Sequence, residues 1–262
     1  MCLIVFAWGV HPDWPLLLAA NRDEFHARPT AAAATLADQP DVFGGIDLRA
    51  GGSWLLASRR RRMAAITNVR VGLATEVRPR SRGMLVKAFV EGVMDAKSYA
   101  ASIAANAREF GPFNMLLWDG ASMQCVGNHP GFHGDAVAPG VHTLSNAYLD
   151  AGWPKARRLR SAMEHWLTTG AAGKRLFDPA PMFAALADTS PADDGQLPDT
   201  GIGLELERRL SSPFVRSDSY GTRCSTVVFA GASGIGMIER RFDADGMING
   251  ESRAGDVNPT PR

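Results

Sequence analysis

A chain of 262 residues with 45% hydrophobic content can bury a large core and fits one sizeable α/β domain spanning residues 1–262. Its 28 basic and 27 acidic residues leave a formal charge of +1, which excludes the broad cationic field that nucleic-acid or anionic-membrane partners need. Three cysteines with no C-x-x-C pair exclude a disulfide framework and point to a reducing, cytosolic setting, and the short apolar opening lacks the length of a membrane span and the basic flank of a secretory signal.

Leu3 to Trp8 is a continuous apolar run and predicts a fully buried strand. Trp14 to Ala20 predicts a second, ending where the chain turns polar at Asn21-Arg22-Asp23-Glu24. From Phe25 to Val42 no period is sustained, and a surface loop is expected. Ser53–Ser58 and Met63–Asn68 read as a strand pair whose turn is Arg59-Arg60-Arg61-Arg62, a solvated tip rather than a phosphate site given the balanced charge. Ser81 is placed to cap a helix over Met84–Val90, and Asp95 to cap another running through Tyr99, Ile103 and Ala107. The two helices are expected to cover one face of the preceding sheet.

Asp119-Gly120 signals a hairpin between Phe113–Trp118 and Met123–Val126, and Val141–Asn146 reads as a further strand ending in polar residues. Ala156, Leu159, Ala162, Met163 and Trp166 line one side of a helix over Lys155–Leu167, and a shorter helix follows Pro179. Asp188–Gly203 is the strongest loop signal. Cys224–Ala230 and Ile235–Arg241 form a last hairpin, and the tail from Asp243 is expected to be irregular. Blocks of strands alternating with blocks of helices do not suit a parallel sheet; they predict an α+β fold, a four-layer α/β/β/α sandwich of two antiparallel sheets with helices outside.

The chemistry concentrates at the start. Removal of Met1 would leave Cys2 carrying both a thiol nucleophile and a free α-amine able to act as its base. Cys125, His129 and His133 recur every fourth residue, but Pro130 and Gly131 break any helix that would align them as metal ligands, and no metal is expected. The glycines at 231, 234 and 236 lack the lysine of a phosphate loop and read as a turn. No G-x-S-x-G elbow occurs, which removes the usual serine hydrolase.

Met1-Cys2, Asn21-Arg22-Asp23-Glu24, Gly51-Gly52-Ser53-Trp54, Thr67-Asn68-Val69-Arg70 and Arg80-Ser81-Arg82-Gly83, in that order, resemble the NRDE-motif family, also called the transport and Golgi organisation 2 family. That family is similar in turn to N-terminal nucleophile hydrolases of the penicillin V acylase and bile salt hydrolase type. The resemblance implies an N-terminal nucleophile fold in which Cys2 attacks an acyl carbon, Asp23 holds its amine, Asn68 and Asn146 donate to the oxyanion, and Arg223 stands in the site. Asn21, Arg22 and Arg70 are assigned to substrate binding. The hydrolases' second strand carries Arg-Asn-x-Asp, whereas Ala20 stands at the arginine position here. Strand alternation puts Asn21 and Asp23 on one side and Arg22 on the other, so Arg22 does not inherit that role. The implied activity is hydrolysis or transfer of a small acyl group with no required cofactor. The implied alternative is a non-enzymatic carrier of haem or acyl-coenzyme A lipids; without C-x-x-C-H, haem would be held reversibly.

Overall fold

β1 (Cys2–Trp8) and β2 (Leu16–Phe25) lie inside a six-stranded sheet ordered β10 (Gly140–Leu144), β1, β2, β11 (Tyr220–Ala230), β12 (Ile235–Phe242), β13 (Ile248–Gly255). Facing it is a seven-stranded sheet in chain order: β3 (Thr30–Leu36), β4 (Gln39–Asp47), β5 (Leu55–Ser58), β6 (Arg62–Asn68), β7 (Phe113–Trp118), β8 (Met123–Gly127) and β9 (His133–Ala136). Every named pairing is antiparallel. The computed structural model describes residues 2–72, 78–169 and 177–256, with Cys2 described by its backbone alone.

Alternation along β1 explains why its sequence is apolar throughout. Ile4 and Phe6 enter the layer between the sheets with Leu16, Leu18, Phe43, Ala57, Leu116 and Trp118. Leu3, Val5 and Ala7 face the other way, against Leu159, Met163 and Trp166 of α3 (Pro154–Thr168) and Met182 and Leu186 of α4 (Ala180–Leu186). A strand covered on both faces carries no polar alternation. On the outer face of the second sheet, α1 (Gly83–Glu91) and α2 (Ala96–Ile103) bring Val86, Phe89, Val90, Ala100 and Ile103 onto Val42, Leu56, Ala64 and Leu117. Helix, sheet, sheet and helix therefore stack as the expected four layers, each fully buried aliphatic or phenylalanine side chain contributing about 1.5–3 kcal/mol.

Several local expectations are corrected. Polarity does not end β2 at Ala20: the strand continues through Asn21-Arg22-Asp23-Glu24 because β11 pairs with it as far as Phe25. The stretch from 25 to 42 is not a surface loop but holds β3 and the start of β4, with Glu239 accepting Ala33 N–H at 2.9 Å across the sandwich. The tail forms β13 against β12. Asp95 caps α2 as expected, accepting Ser98 N–H at 2.8 Å, whereas α1 starts at Gly83 with no side-chain cap from Ser81.

The arginine turn also differs from a solvated tip. Arg62 belongs to β6, is buried, and donates to the carbonyls of Phe89 and Met94, while Arg60 donates to Val90 and Glu91. Two guanidinium groups thus close the carbonyl end of α1, where the helix dipole favours positive charge.

The start of α1 is set by a crossing of two backbones. A Cβ on Gly52 would stand 2.5 Å from the carbonyl carbon of Gly83, and one on Gly83 would stand 2.7 Å from Ser53 N. Ser53 N–H donates to Gly83 O at 3.2 Å across that contact. The Gly-Gly-Ser and Arg-Gly motifs, far apart in sequence, are two halves of one joint that only glycine permits.

Candidate functional site

Register brings Cys2, the residues of β2 and β11, and Asn146 to the same ends of strands in the six-stranded sheet. Cys2 pairs with Arg22 across β1 and β2, and Cys224 pairs with the same Arg22 across β11. Leu144 pairs with Ile4, so the chain leaving β10 at Ser145 and Asn146 passes the start of β1.

The pleat of β2 divides the NRDE residues between two faces. Asn21, 1% exposed, donates to Leu186 O at 2.8 Å and Pro213 O at 2.9 Å and accepts from Ser225 Oγ at 2.6 Å. Its carboxamide is committed to holding α4 and the chain before β11 against the sheet, which leaves it little capacity for substrate. Asp23, on the same face, accepts from Thr222 Oγ1 at 2.7 Å, and its carbonyl accepts from the Tyr220 hydroxyl at 3.1 Å.

Arg22 points between the sheets. It is 5% exposed, with its guanidinium 4.2 Å from the centroid of the Trp54 ring on the facing sheet. It donates to Thr30 Oγ1 at 3.1 Å, and the Glu24 carboxylate lies 3.9 Å away, beyond hydrogen-bond length. Among the described residues, the rest of its donors are unmatched. They border a narrow cavity lined by Ile4, Ala20, Trp54, Ala65 and Thr226.

Arg223 reaches the Arg22 side because the ladder slips there. Thr222 pairs with Asp23 and Cys224 with Arg22, so Arg223 is the extra residue of a bulge, a device that re-aims a side chain. It donates to the carbonyls of Phe25 and His26 at 3.0 and 2.9 Å. Burial, and then the neighbouring charge of Arg22, lowers its guanidinium below the usual range.

Asn68 and Asn146 join the two sheets. Asn146 Nδ2 donates to Asn68 O at 2.8 Å, and Arg70 N–H donates to Asn146 O at 2.9 Å. Asn146 Oδ1 accepts from Ser145 Oγ at 3.3 Å and lies 3.5 Å from Arg70 Nη2. The Asn68 side chain has no hydrogen bond among the described residues, which leaves its amide donors available. Arg70 donates to Glu207 at 2.6 Å, and burial pulls its guanidinium below the usual range while Glu207 opposes that shift.

The strand leading to Asn146 is anchored by an ionic cluster. His142 Nδ1 is 2.7 Å from Asp150 Oδ2, His142 Nε2 is 2.9 Å from Ala138 O, and Asp150 also accepts from Thr143 N and from Arg160. Both ring nitrogens face acceptors, so the imidazolium fits the cluster better than the neutral ring. The hydrogen bond to Asp150 raises His142 above its ordinary 6.5. A folded value above the unfolded one gives stability that is complete below 6.5 and is lost as pH rises through the folded value. The melting temperature of the wild type relative to His142→Gln is therefore expected to be highest in mildly acidic buffer and to converge with it in alkaline buffer. A difference that stays constant with pH contradicts this assignment.

The sequence-selected residues thus share one end but not one pocket. Arg22 faces between the sheets, Arg223 is tied to the carbonyls at the end of β2, Asn21 and Asp23 face the helices, and Asn68, Asn146 and Arg70 bridge the two sheets. The side chain of Cys2 lies outside the described residues. The sequence reading missed Trp54 and Thr30 as Arg22 partners, Ser225 and Thr222 as partners of Asn21 and Asp23, and Glu207. The signal for two of them was present: Thr222-Arg223-Cys224-Ser225-Thr226 is a polar run entering a buried strand. Cys125, considered above as a metal ligand, lies in the layer between the sheets, and burial pushes its thiol up to about 12. No helix among the described residues is long and apolar enough to cross a membrane.

Comparison with known proteins agrees with these features. The family model described as "Transport and Golgi organisation 2" matches residues 1–244. The chain is 34% identical over 253 residues to the Transport and Golgi organization protein 2 homolog of Bos taurus, covering 89% of this chain and 90% of that protein. It is 30% identical over 273 residues to the Homo sapiens homolog, covering 97% of each. Among solved structures it is similar to the Caenorhabditis elegans N-acylethanolamine-hydrolyzing acid amidase ortholog, with a TM-score of 0.52 and 11% identity over 86% of this chain and 92% of that one. It is also similar to the C2A mutant of the conjugated bile acid hydrolase from Clostridium perfringens, with a TM-score of 0.56 and 8% identity over 97% and 92%. At these identities the structural likeness establishes the N-terminal nucleophile hydrolase fold alone.

Proposed function

Because the chain belongs to the Transport and Golgi organisation 2 family and has the N-terminal nucleophile hydrolase fold, we propose that it is a hydrolase or acyltransferase using Cys2 on an amide or other acyl bond of a small molecule. The observation that carries this reading is the ladder pairing of Cys2 with Arg22, a buried cation with unmatched donors beside a cavity. The names of the two structural neighbours, an amidase and a hydrolase, support it.

In this mechanism Met1 is removed and the Cys2 α-amine accepts the thiol proton as sulfur attacks the acyl carbon. The carbonyl oxygen becomes an oxyanion, stabilised by the free Asn68 amide and by Asn146, donors of a kind worth about 2.7–4 kcal/mol each. Asp23, one residue past Cys2's ladder partner, holds the amine. The amine returns the proton to the leaving group, and water or an acceptor cleaves the thioester. The unperturbed α-amine near ~8 and thiol near ~8.5 make that exchange accessible at neutral pH. Arg22, Arg223 and Arg70 orient the substrate. The chemistry requires no cofactor, and a reducing cytosol keeps the thiol available.

The family's name speaks of transport, and this favours a second reading in which the protein carries haem or an acyl-coenzyme A lipid at this end of the sandwich without turnover. Intact mass tests the enzymatic reading first. The mature protein is expected to begin at Cys2 and to gain one acyl group there from a thiol-directed acyl probe. A preparation that keeps Met1 quantitatively and still turns over substrate overturns the mechanism.

A further inference from the structure

A group of ionisable side chains is packed behind the strand ends, and the site as described so far does not use all of it. Asp23 comes from β2, Arg70 from the chain after β6, Lys155 from the first turn of α3, and Glu207 from α5 (Leu204–Arg209), with the Tyr220 hydroxyl of β11 nearby. Lys155 is 2% exposed and Glu207 3%, and charges buried this deeply persist only when partnered.

Glu207 ties two segments together. Its Oε2 accepts from Arg70 Nη1 at 2.6 Å, and its Oε1 accepts from Thr200 N at 2.9 Å and Thr200 Oγ1 at 2.5 Å. That clamp sets where the Arg70 guanidinium lies: 5.1 Å from the centroid of the Trp153 ring, which Lys155 Nζ also approaches at 5.9 Å. A narrow cavity is lined by Arg70, Trp153, Lys155, Glu207 and Ser211. On its other side Arg70 borders Asn146 and lies within electrostatic reach of Asp23.

We propose that Glu207 is a positioning residue of the candidate site: by clamping Arg70 it holds Asn146 in place and balances the guanidinium charge beside Asp23. The roles of Asn146 and Asp23 rest on the function proposed above, whereas the charge balance itself does not. An ion pair too remote to act on the site would alter stability when broken but leave the titration of the nucleophile unchanged.

The test is the pH dependence of alkylation of Cys2 in the intact mature protein, read from the mass of its N-terminal peptide so that Cys125 and Cys224 are separated. Glu207→Gln keeps size and an acceptor for Thr200 but removes the carboxylate charge facing Arg70, and a net gain of positive charge nearby favours thiolate. The midpoint is expected to fall by about half a unit, about threefold faster alkylation below it. Arg70→Gln removes the cation and is expected to raise the midpoint. The double variant removes both charges and is expected to return it close to wild type. Arg22, Arg223, Asp23 and Glu24, the other charged groups at this end of β2 and β11, are unchanged throughout. Coincident profiles for wild type and folded variants overturn the proposal. If Glu207→Gln does not fold, the absence of an upward shift in Arg70→Gln overturns it alone. A protein that shows the opposed shifts yet turns over no acyl substrate retains the charge coupling and loses the enzymatic reading, so the two failures are separable.

Discussion

Serine in place of Cys2 is expected to abolish acyl transfer while leaving ligand affinity within about threefold, a tenfold change corresponding to about 1.4 kcal/mol. The substitution keeps size and hydrogen bonding but replaces a thiol near ~8.5 by a hydroxyl that is far harder to ionise, so the attacking species is lost and the contacts are not. Single-turnover kinetics with an activated thioester, beside equilibrium binding of the same compound, measure both quantities. A carrier responds differently, because its affinity comes from apolar burial and a few polar anchors. If the wild type turns over nothing across amide, ester and thioester panels, and both proteins bind haem or acyl-coenzyme A equally, the transport reading replaces the enzymatic one. Thiolate ligation of haem would show in the absorption spectrum and vanish in Cys2→Ser.

Alanine at Asn21 is expected to damage the fold rather than the chemistry. The substitution leaves the carbonyls of Leu186 and Pro213 and the Ser225 hydroxyl without their buried partner. Each orphaned group costs about 1–3 kcal/mol, so the total is about 3 kcal/mol or more. For a chain of this length that lowers the melting temperature by roughly 6–12 °C. Calorimetry measures the loss, and activity per folded molecule is expected to stay near wild type. A variant with native stability and no activity would return Asn21 to the substrate site.

The layers were legible in the sequence because burial on both faces writes itself as unbroken apolar runs: Leu3–Trp8, Phe113–Trp118 and Val227–Ala230 all emerged as strands. The misplaced end of β2 has a plain physical origin. Polarity was read as exposure, yet Asn21-Arg22-Asp23 remain buried in the ladder because each finds a partner from a distant segment, and the identity of those partners is tertiary information. The alanine run at 31–34 likewise carries no alternation, since β4 and the residues around Glu239 decide its conformation. At the site, resemblance supplied Asn68 and Asn146 and the structure joins them directly. It could not supply Glu207, whose role depends on where the loop from Asp188 to Gly203 returns to Arg70.

The hydrogen bonds from Asn146 to Asn68 and from Arg70 to Asn146 run between strand ends that belong to different sheets. The geometry proposed for catalysis is therefore also a gauge of how far apart the sheets stand. Phe43, Leu116 and Trp118 act as spacers in that gap, and none is part of the chemistry. Trimming a spacer lets the sheets settle toward one another, and Asn68 and Asn146, the proposed oxyanion donors, then shift relative to β1 without themselves being changed. Close packing in the middle of the sandwich sets the alignment at its rim.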